Sequence, residues 1–229
     1  MTTNLSHRYR LVKDLPQIIP VFPLNGVILL PRSNLPLNIF EPRYLEMTDD
    51  VLAGERLIGM IQPDSGKKTS LSTDDEPVPV RQIGCVGRIT EFSEMDDGRL
   101  LITLTGICRF ETRDELTSDK PYRDFEVHYN SFEDDLLPGF GETKVDRETL
   151  LKVLKTYLDV HELDADWDSI HQSSNEFLVN TLSIISPYGP EEKQALLETK
   201  DLKTRSEVLI ALAEMDLAAG DDGSGTAIQ

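Results

Sequence analysis

At 229 residues, with 39% hydrophobic and 28% charged residues, the chain has enough apolar material for one large globular domain or two modest ones. Its 41 acidic and 23 basic residues give a formal net charge of -18, a field that repels phosphate backbones and anionic lipid and so argues against nucleic acid and membrane as partners. No run approaches the roughly 20 apolar residues of a membrane span, the N-terminal MTTNLSHRYRLVKDLP lacks the apolar core of a secretory signal, and Cys85 and Cys108 suit neither a disulfide scaffold nor a zinc knuckle. A cytoplasmic protein with both thiols in its core is expected.

Residues 1–15 show no clear period and carry His7, Arg8, Arg10 and Lys13 in an otherwise acidic chain. They are expected to form a mobile arm, since a terminus stays loose unless tied down; the alternative is that they lie across the protein's own acidic surface. From Pro20 to Leu52 runs the densest apolar stretch ahead of the C-terminal helices, PVFPLNGVILLPRSNLPLNIFEPRYLEMTDDVL. Pro20, Pro23, Pro31 and Pro36 each remove a backbone donor, so this stretch must break into short strands that turn or bulge, as in a small bent barrel. Pro42 has a different role. It precedes Tyr44, Leu45, Thr48, Val51 and Leu52 at helical spacing, and a helix's first position needs no donor. A strand feeding directly into a helix is predicted there.

After Gly54, RLIGMIQP reads as a strand closed by Pro63, and residues 63–80 as a polar loop, either a plain insertion or a contact loop. QIGCVGRITEF and RLLITLTGICRFE then form a hairpin turning at Asp97-Gly98. A connection from Met95 to Gly98 pairs Ile89 with Leu104, Gly87 with Gly106 and Cys85 with Cys108, all toward the core. The glycine pair leaves room for a bend or for another segment passing close. Phe125, Val127 and Tyr129 alternate in a last strand, with His128 on its outer side.

DDLLPGFGE separates this strand-rich half from a helical one. Leu150, Leu151, Leu154, Tyr157, Leu158 and His161 recur at helical spacing, and Ser173 with Glu176 forms a capping-box pattern ahead of Phe177, Leu178, Leu182 and Ile185. Gly189-Pro190-Glu191-Glu192 opens a short third helix, and Leu202, Val208, Leu209, Leu212 and Met215 mark a last one ending at Gly220. The expected organisation is a mobile arm (1–15), a β-barrel subdomain (16–135), a linker (136–144), a helical subdomain (145–220) and a disordered tail (221–229).

Three segments, VFPLNGVILLP, PLNIFEPRYLEM and GCVGRITEFSEMDDGRLLITLTGICRF, closely resemble the N-terminal, substrate-binding domain of Lon proteases, and the likeness runs from about residue 18 to about residue 215. The resemblance implies an α+β fold, a PUA-like six-stranded pseudobarrel with an inserted helix followed by a C-terminal bundle of about four helices; the strand and helix count above agrees. It also implies a non-catalytic module that binds unfolded or exposed apolar polypeptide, an adaptor or chaperone-like factor in protein quality control, with an ATP-dependent protease as a further partner.

The chemistry of catalysis is absent from the motifs. There is no G-x-x-x-x-G-K-[ST] phosphate loop and no G-x-S-x-G nucleophile turn, so no catalytic residue and no cofactor is expected. Asp164, Asp166 and Asp168 fail as a calcium loop because Ser169 stands where the turn needs glycine and Asn175 where it needs a bidentate glutamate. The four histidines show no metal-ligand spacing, and no metal is expected. Two other functions remain as alternatives: binding of nucleic acid or a modified base through the PUA-like barrel, which the acidic charge opposes, and an unrecognised hydrolase, which the missing constellations oppose.

The candidate polypeptide-binding residues are Pro36, Leu37, Phe40, Arg43 and Tyr44 at the strand-to-helix junction, with Leu136, Leu137 and Phe140 in the linker. They would line a groove on the barrel flanked by the 63–80 loop and the seam with the helices, where unpaired strand edges could accept an extended peptide by strand addition. The competing reading is purely structural: Glu41, Arg43 and Tyr44 tie the helix to the barrel, and the linker residues pack in the seam.

Overall fold

The prolines of the N-terminal stretch cut it into two six-residue strands, Ile18–Pro23 (β1) and Asn34–Ile39 (β2). In this computed structural model, which describes residues 8–64, 66 and 78–223, β1 pairs parallel with Leu57–Ile61 (β3) and antiparallel with Arg123–His128 (β6). Ile83–Glu94 (β4) lies antiparallel between β3 and Leu100–Leu116 (β5), and β2 pairs antiparallel with β5. The order is β2-β5-β4-β3-β1-β6, and a further β5–β6 pairing closes the sheet on itself. Closure depends on the length of β5. Its 17 residues let positions 100–105 face β2 and β4 while positions 111–116 face β6.

The hairpin register departs from the expected one in three places, of which the first two compensate. The connection is one residue longer than expected, with Glu94 opposite Leu100, and the extra residue Thr90 on β4 restores Ile89 opposite Leu104 and Gly87 opposite Gly106. Beyond the glycines, Ile107 is extra on β5, so Cys108 faces Val86 and Cys85 faces Arg109. The expected Cys85–Cys108 pair is therefore corrected by one position, although both side chains are buried free thiols. The segment passing close to the glycine pair is Leu29–Leu30: a Cβ on Gly106 would lie 2.0 Å from the Leu30 carbonyl oxygen, and one on Gly87 2.6 Å from Leu29 Cδ2. Two glycines thus let a loop bury Leu29 and Leu30 against the sheet.

Pro42 opens the helix Pro42–Leu52 (α1) as the sequence predicts. Its inward stripe is Tyr44, Met47, Thr48 and Val51, one turn apart, and the Thr48 hydroxyl donates to the Tyr44 carbonyl at 2.7 Å instead of remaining unsatisfied. Residues 8–15 are not a free arm. Tyr9 and Leu15 enter the core cluster formed with Ile19, Phe110 and Tyr129, and the Tyr129 hydroxyl donates to the Pro16 carbonyl at 2.8 Å. The expectations for residues 1–7, for most of the 63–80 loop (65 and 67–77) and for 224–229 lie outside the described residues.

The chain divides into two compact units, Met1–Pro138 with Tyr188–Leu197, and Gly139–Pro187 with Glu198–Gln229. The helix Pro190–Glu198 (α5), expected with the other helices, belongs largely to the first unit. Paired amides hold it there. Gln62 donates from Nε2 to the Pro190 carbonyl at 2.9 Å and to Gln194 Oε1 at 3.0 Å, while Gln194 donates to the Ile83 carbonyl at 3.1 Å.

The second unit carries Arg147–Val160 (α2), Trp167–Gln172 (α3), Asn175–Ile185 (α4) and Leu202–Gly223 (α6), with α2 and α4 both packed on α6. Aspartates cap two of these helices: Asp146 accepts from Thr149 N–H at 3.1 Å and Asp166 from Ser169 N–H at 3.1 Å. The expected capping box at Ser173 is displaced by one residue. Ser174 caps α4 by accepting from Phe177 N–H at 3.2 Å, and Ser173 instead donates to the Ser169 carbonyl at the end of α3. Glu176 reaches back to the Gly139 N–H at 3.0 Å.

Candidate functional site

At the end of β2 the sheet releases Phe40, a residue 63% exposed, immediately before α1 begins. The last ladder pair there is Ile39 with Leu100, so Phe40 stands at the turn end of the β4–β5 hairpin. Three further exposed apolar side chains come from that hairpin: Phe92, Met95 and Leu101. Leu101 lies opposite Asn38 and Ser93 on the outer face, whereas Phe92 shares the face of buried Ile102 and stands beyond the last β3–β4 pair, Leu57 with Arg88. Sequence reasoning missed these three. Leu101 could have been found, since it is the apolar residue out of phase with Ile102 and Leu104.

The other junction residues divide between surface and core. Tyr44 is buried, its ring edge-on to Phe22 with centroids 4.2 Å apart, and burial pushes its phenol above the ordinary value. Arg43 is exposed, lies over the Tyr44 ring at 4.6 Å and donates to Glu41 Oε2 at 2.7 Å from Nη2. Leu37 is buried and Pro36 exposed, following the alternation of β2. Leu37 and Tyr44 therefore hold the junction together from beneath and present no surface to a client.

Pro36 also limits what can pair with the β2 edge. The Gly106 N–H donates to the Ser33 carbonyl at 2.9 Å, which fixes the phase of the ladder: Leu35, Leu37 and Ile39 direct their backbone groups to β5, and Asn34, Pro36 and Asn38 direct theirs to the opposite edge. β2 is terminal in the strand order, so this is an open sheet edge, and its central residue has no N–H to give. Proline here blunts strand addition, which shifts the reading toward side-chain recognition.

The linker residues lie elsewhere. Leu136 is buried at the end of the 3-10 helix Asn130–Leu136, which packs on β5 beside Arg109, about 30 Å along the strand from Leu100 at ~3.3 Å per residue. Leu137 is 48% exposed in the first unit and Phe140 46% exposed in the second. The structure thus separates Leu136 and Leu137 from the Phe40 rim along the first unit.

Between α1 and the hairpin tip is a groove of about 310 Å³. Leu45 and Asp49 line it from the helix, and Glu94, Met95, Arg99 and Leu100 from the hairpin. The Arg99 guanidinium is held by Asp97, Nε to Oδ2 at 2.7 Å, and that bond holds the Asp97 carboxyl below its ordinary value. The Asp49 and Glu94 carboxylates have no hydrogen-bond or ion-pair partner among the described residues. The groove is lined by the apolar side chains of Leu45, Met95 and Leu100 together with the carboxylates of Asp49 and Glu94.

A closed six-stranded sheet carrying one inserted helix, accompanied by further helices, defines a mixed α+β module. The chain belongs to the family described as the ATP-dependent protease La (LON) substrate-binding domain, whose model matches residues 18–214. It is 28% identical over 202 residues to a Lon protease of Desulfosudis oleivorans and 26% identical over 200 residues to one of Flavobacterium johnsoniae, covering 83% and 85% of this chain but 23% of each relative. The chain therefore spans about a quarter of the length of these relatives. Among solved structures it is similar to a Lon N-terminal domain protein from Xanthomonas campestris (TM-score 0.60, 22% identity, 86% of this chain and 98% of that one). It is similar also to the N-terminal domain of a Mycobacterium avium complex Lon protease (TM-score 0.59, 19% identity, the same shares). No helix among the described residues is long and apolar enough to cross a membrane.

Proposed function

We propose that this protein is a polypeptide-binding module that takes exposed apolar segments of client proteins on the rim formed by Phe40, Phe92, Met95 and Leu101. The observation that carries the reading is that four large apolar side chains, exposed at one end of the closed sheet, occur in a chain of a substrate-binding-domain family. Pro36 and Arg43 border the rim, Leu37 and Tyr44 support it from the core, and Leu137 and Phe140 are secondary contact candidates. The barrel is of the PUA-like kind and the second unit a helical bundle. The module works as an adaptor or chaperone-like factor in the cytoplasm, alone or delivering clients to an ATP-dependent protease. No catalysis is part of this role.

The test is titration with reduced, alkylated ribonuclease against its native, disulfide-bonded form, which carry the same basic groups and differ in exposed apolar surface. Binding of the unfolded form alone is expected, on the order of micromolar as befits a promiscuous recogniser, with Phe40→Ala weakening it roughly tenfold at unchanged stability. Equal binding of both forms, or indifference to Phe40→Ala and Leu101→Ser together, would exclude the rim.

A further inference from the structure

The groove beside the apolar rim differs from the rim in charge. Leu45, Met95 and Leu100 contribute apolar side chains to its lining, Asp49 from α1 and Glu94 from β4 contribute carboxylates, and its arginine, Arg99, is occupied by Asp97 within the same turn. The bordering base Arg43 is likewise occupied, by Glu41. Arg99 and Arg43 are therefore neutralised locally, and the two groove carboxylates have no partner among the described residues. A long basic side chain has the matching form, an aliphatic stem to lie against Leu45, Met95 and Leu100 and a charged head to reach the carboxylates.

We infer that this groove takes a lysine or arginine side chain of a client segment whose neighbouring apolar residues rest on Phe40, Phe92 and Leu101. The inference rests on the polypeptide-binding reading and adds to it a selectivity: clients in which basic and apolar residues alternate are preferred over equally apolar clients that are neutral or acidic. The preference is local to the groove. A net charge of -18 attracts any cation over long range, but that field is screened within about 10 Å at 0.1 M salt, whereas contact in a groove is screened less.

Three unstructured, fluorescein-labelled peptides of one apolar sequence, carrying lysine, glutamine or glutamate at two fixed positions, test it by anisotropy at 0.1 M and 0.3 M salt. The lysine peptide is expected to bind roughly fivefold more tightly than the glutamine peptide, as two exposed ion pairs would give. The variant Asp49→Asn/Glu94→Gln is expected to abolish that ratio. Asp164→Asn/Asp168→Asn in the second unit, which removes the same charge, is expected to leave the ratio intact. Equal binding of lysine and glutamine peptides overturns the groove assignment and leaves the rim reading standing. A ratio that survives Asp49→Asn/Glu94→Gln, or that falls equally with Asp164→Asn/Asp168→Asn, assigns the preference to overall charge and also overturns it. Failure of all three peptides to bind overturns both readings together.

Discussion

Arg109 of β5 and Asp135 of the adjoining 3-10 helix form a buried bidentate pair, Nε to Oδ2 and Nη2 to Oδ1 each at 2.8 Å, with the Arg109 N–H also donating to Oδ2 at 3.0 Å. The guanidinium lies over the Phe132 ring at 4.3 Å and donates from Nη1 to the Leu197 carbonyl at 3.0 Å, so one side chain joins β5, the 3-10 helix and the end of α5. Both ions are nearly excluded from water, and removing one leaves the other uncompensated. Arg109→Met is expected to cost about 3–5 kcal/mol in urea unfolding followed by circular dichroism, and Arg109→Met/Asp135→Leu less than the sum of the single losses.

Gly106→Ala is expected to be among the most disruptive of small substitutions. The added methyl would meet the Leu30 backbone, which cannot rotate away as a side chain could. The loss should reach or exceed about 3 kcal/mol, the upper end for overpacking. Gly98→Ala, where nothing lies within 4 Å, loses only the advantage of glycine at its φ of +81° and serves as the control.

Both thiols should resist Ellman's reagent in the native protein and react after denaturation in guanidinium. Cys85 and Cys108 are fully buried, and burial pushes the Cys108 thiol far up, away from the reactive thiolate. Rapid reaction of either in buffer would contradict the hairpin register.

Pro36→Val restores the missing donor at the centre of the open β2 edge. The variant is expected to self-associate with rising concentration in sedimentation velocity while the parent stays unchanged over the same range. An unaltered profile would show that something other than Pro36 protects that edge.

The helical unit should loosen in acid. Backbone and side-chain hydrogen bonds from Thr149, from Ser169 and from Thr204 hold the Asp146, Asp166 and Asp201 carboxyls below their ordinary 3.8. Folded values below unfolded ones mean stabilisation that is complete above about pH 4 and is lost as pH falls through the depressed values. Trp167, the single tryptophan, follows Asp166 and should report the transition in fluorescence. Asp166→Asn, which can still cap but cannot titrate, should flatten its dependence on pH.

What the sequence determined by itself was local. Proline spacing cut the N-terminal stretch into β1 and β2 and opened α1 at Pro42; alternation and Asp97-Gly98 placed the hairpin; Gly87 and Gly106 marked the close approach. Each depends on the conformational preferences of a few neighbouring residues, and a chain carries those wherever it folds. The tertiary structure decided whatever depends on partners distant in sequence. Ile107 as an extra residue turned Arg109 inward to Asp135 at the end of the strand-rich half, and Gln62 with Gln194 drew α5 into the first unit. Met95 and Leu45 acquired their positions at the groove only when strand register and helix packing set the hairpin across from α1. Burial of a polar or charged group is favourable only once its partner is in place, so such groups look like surface residues until the fold supplies that partner.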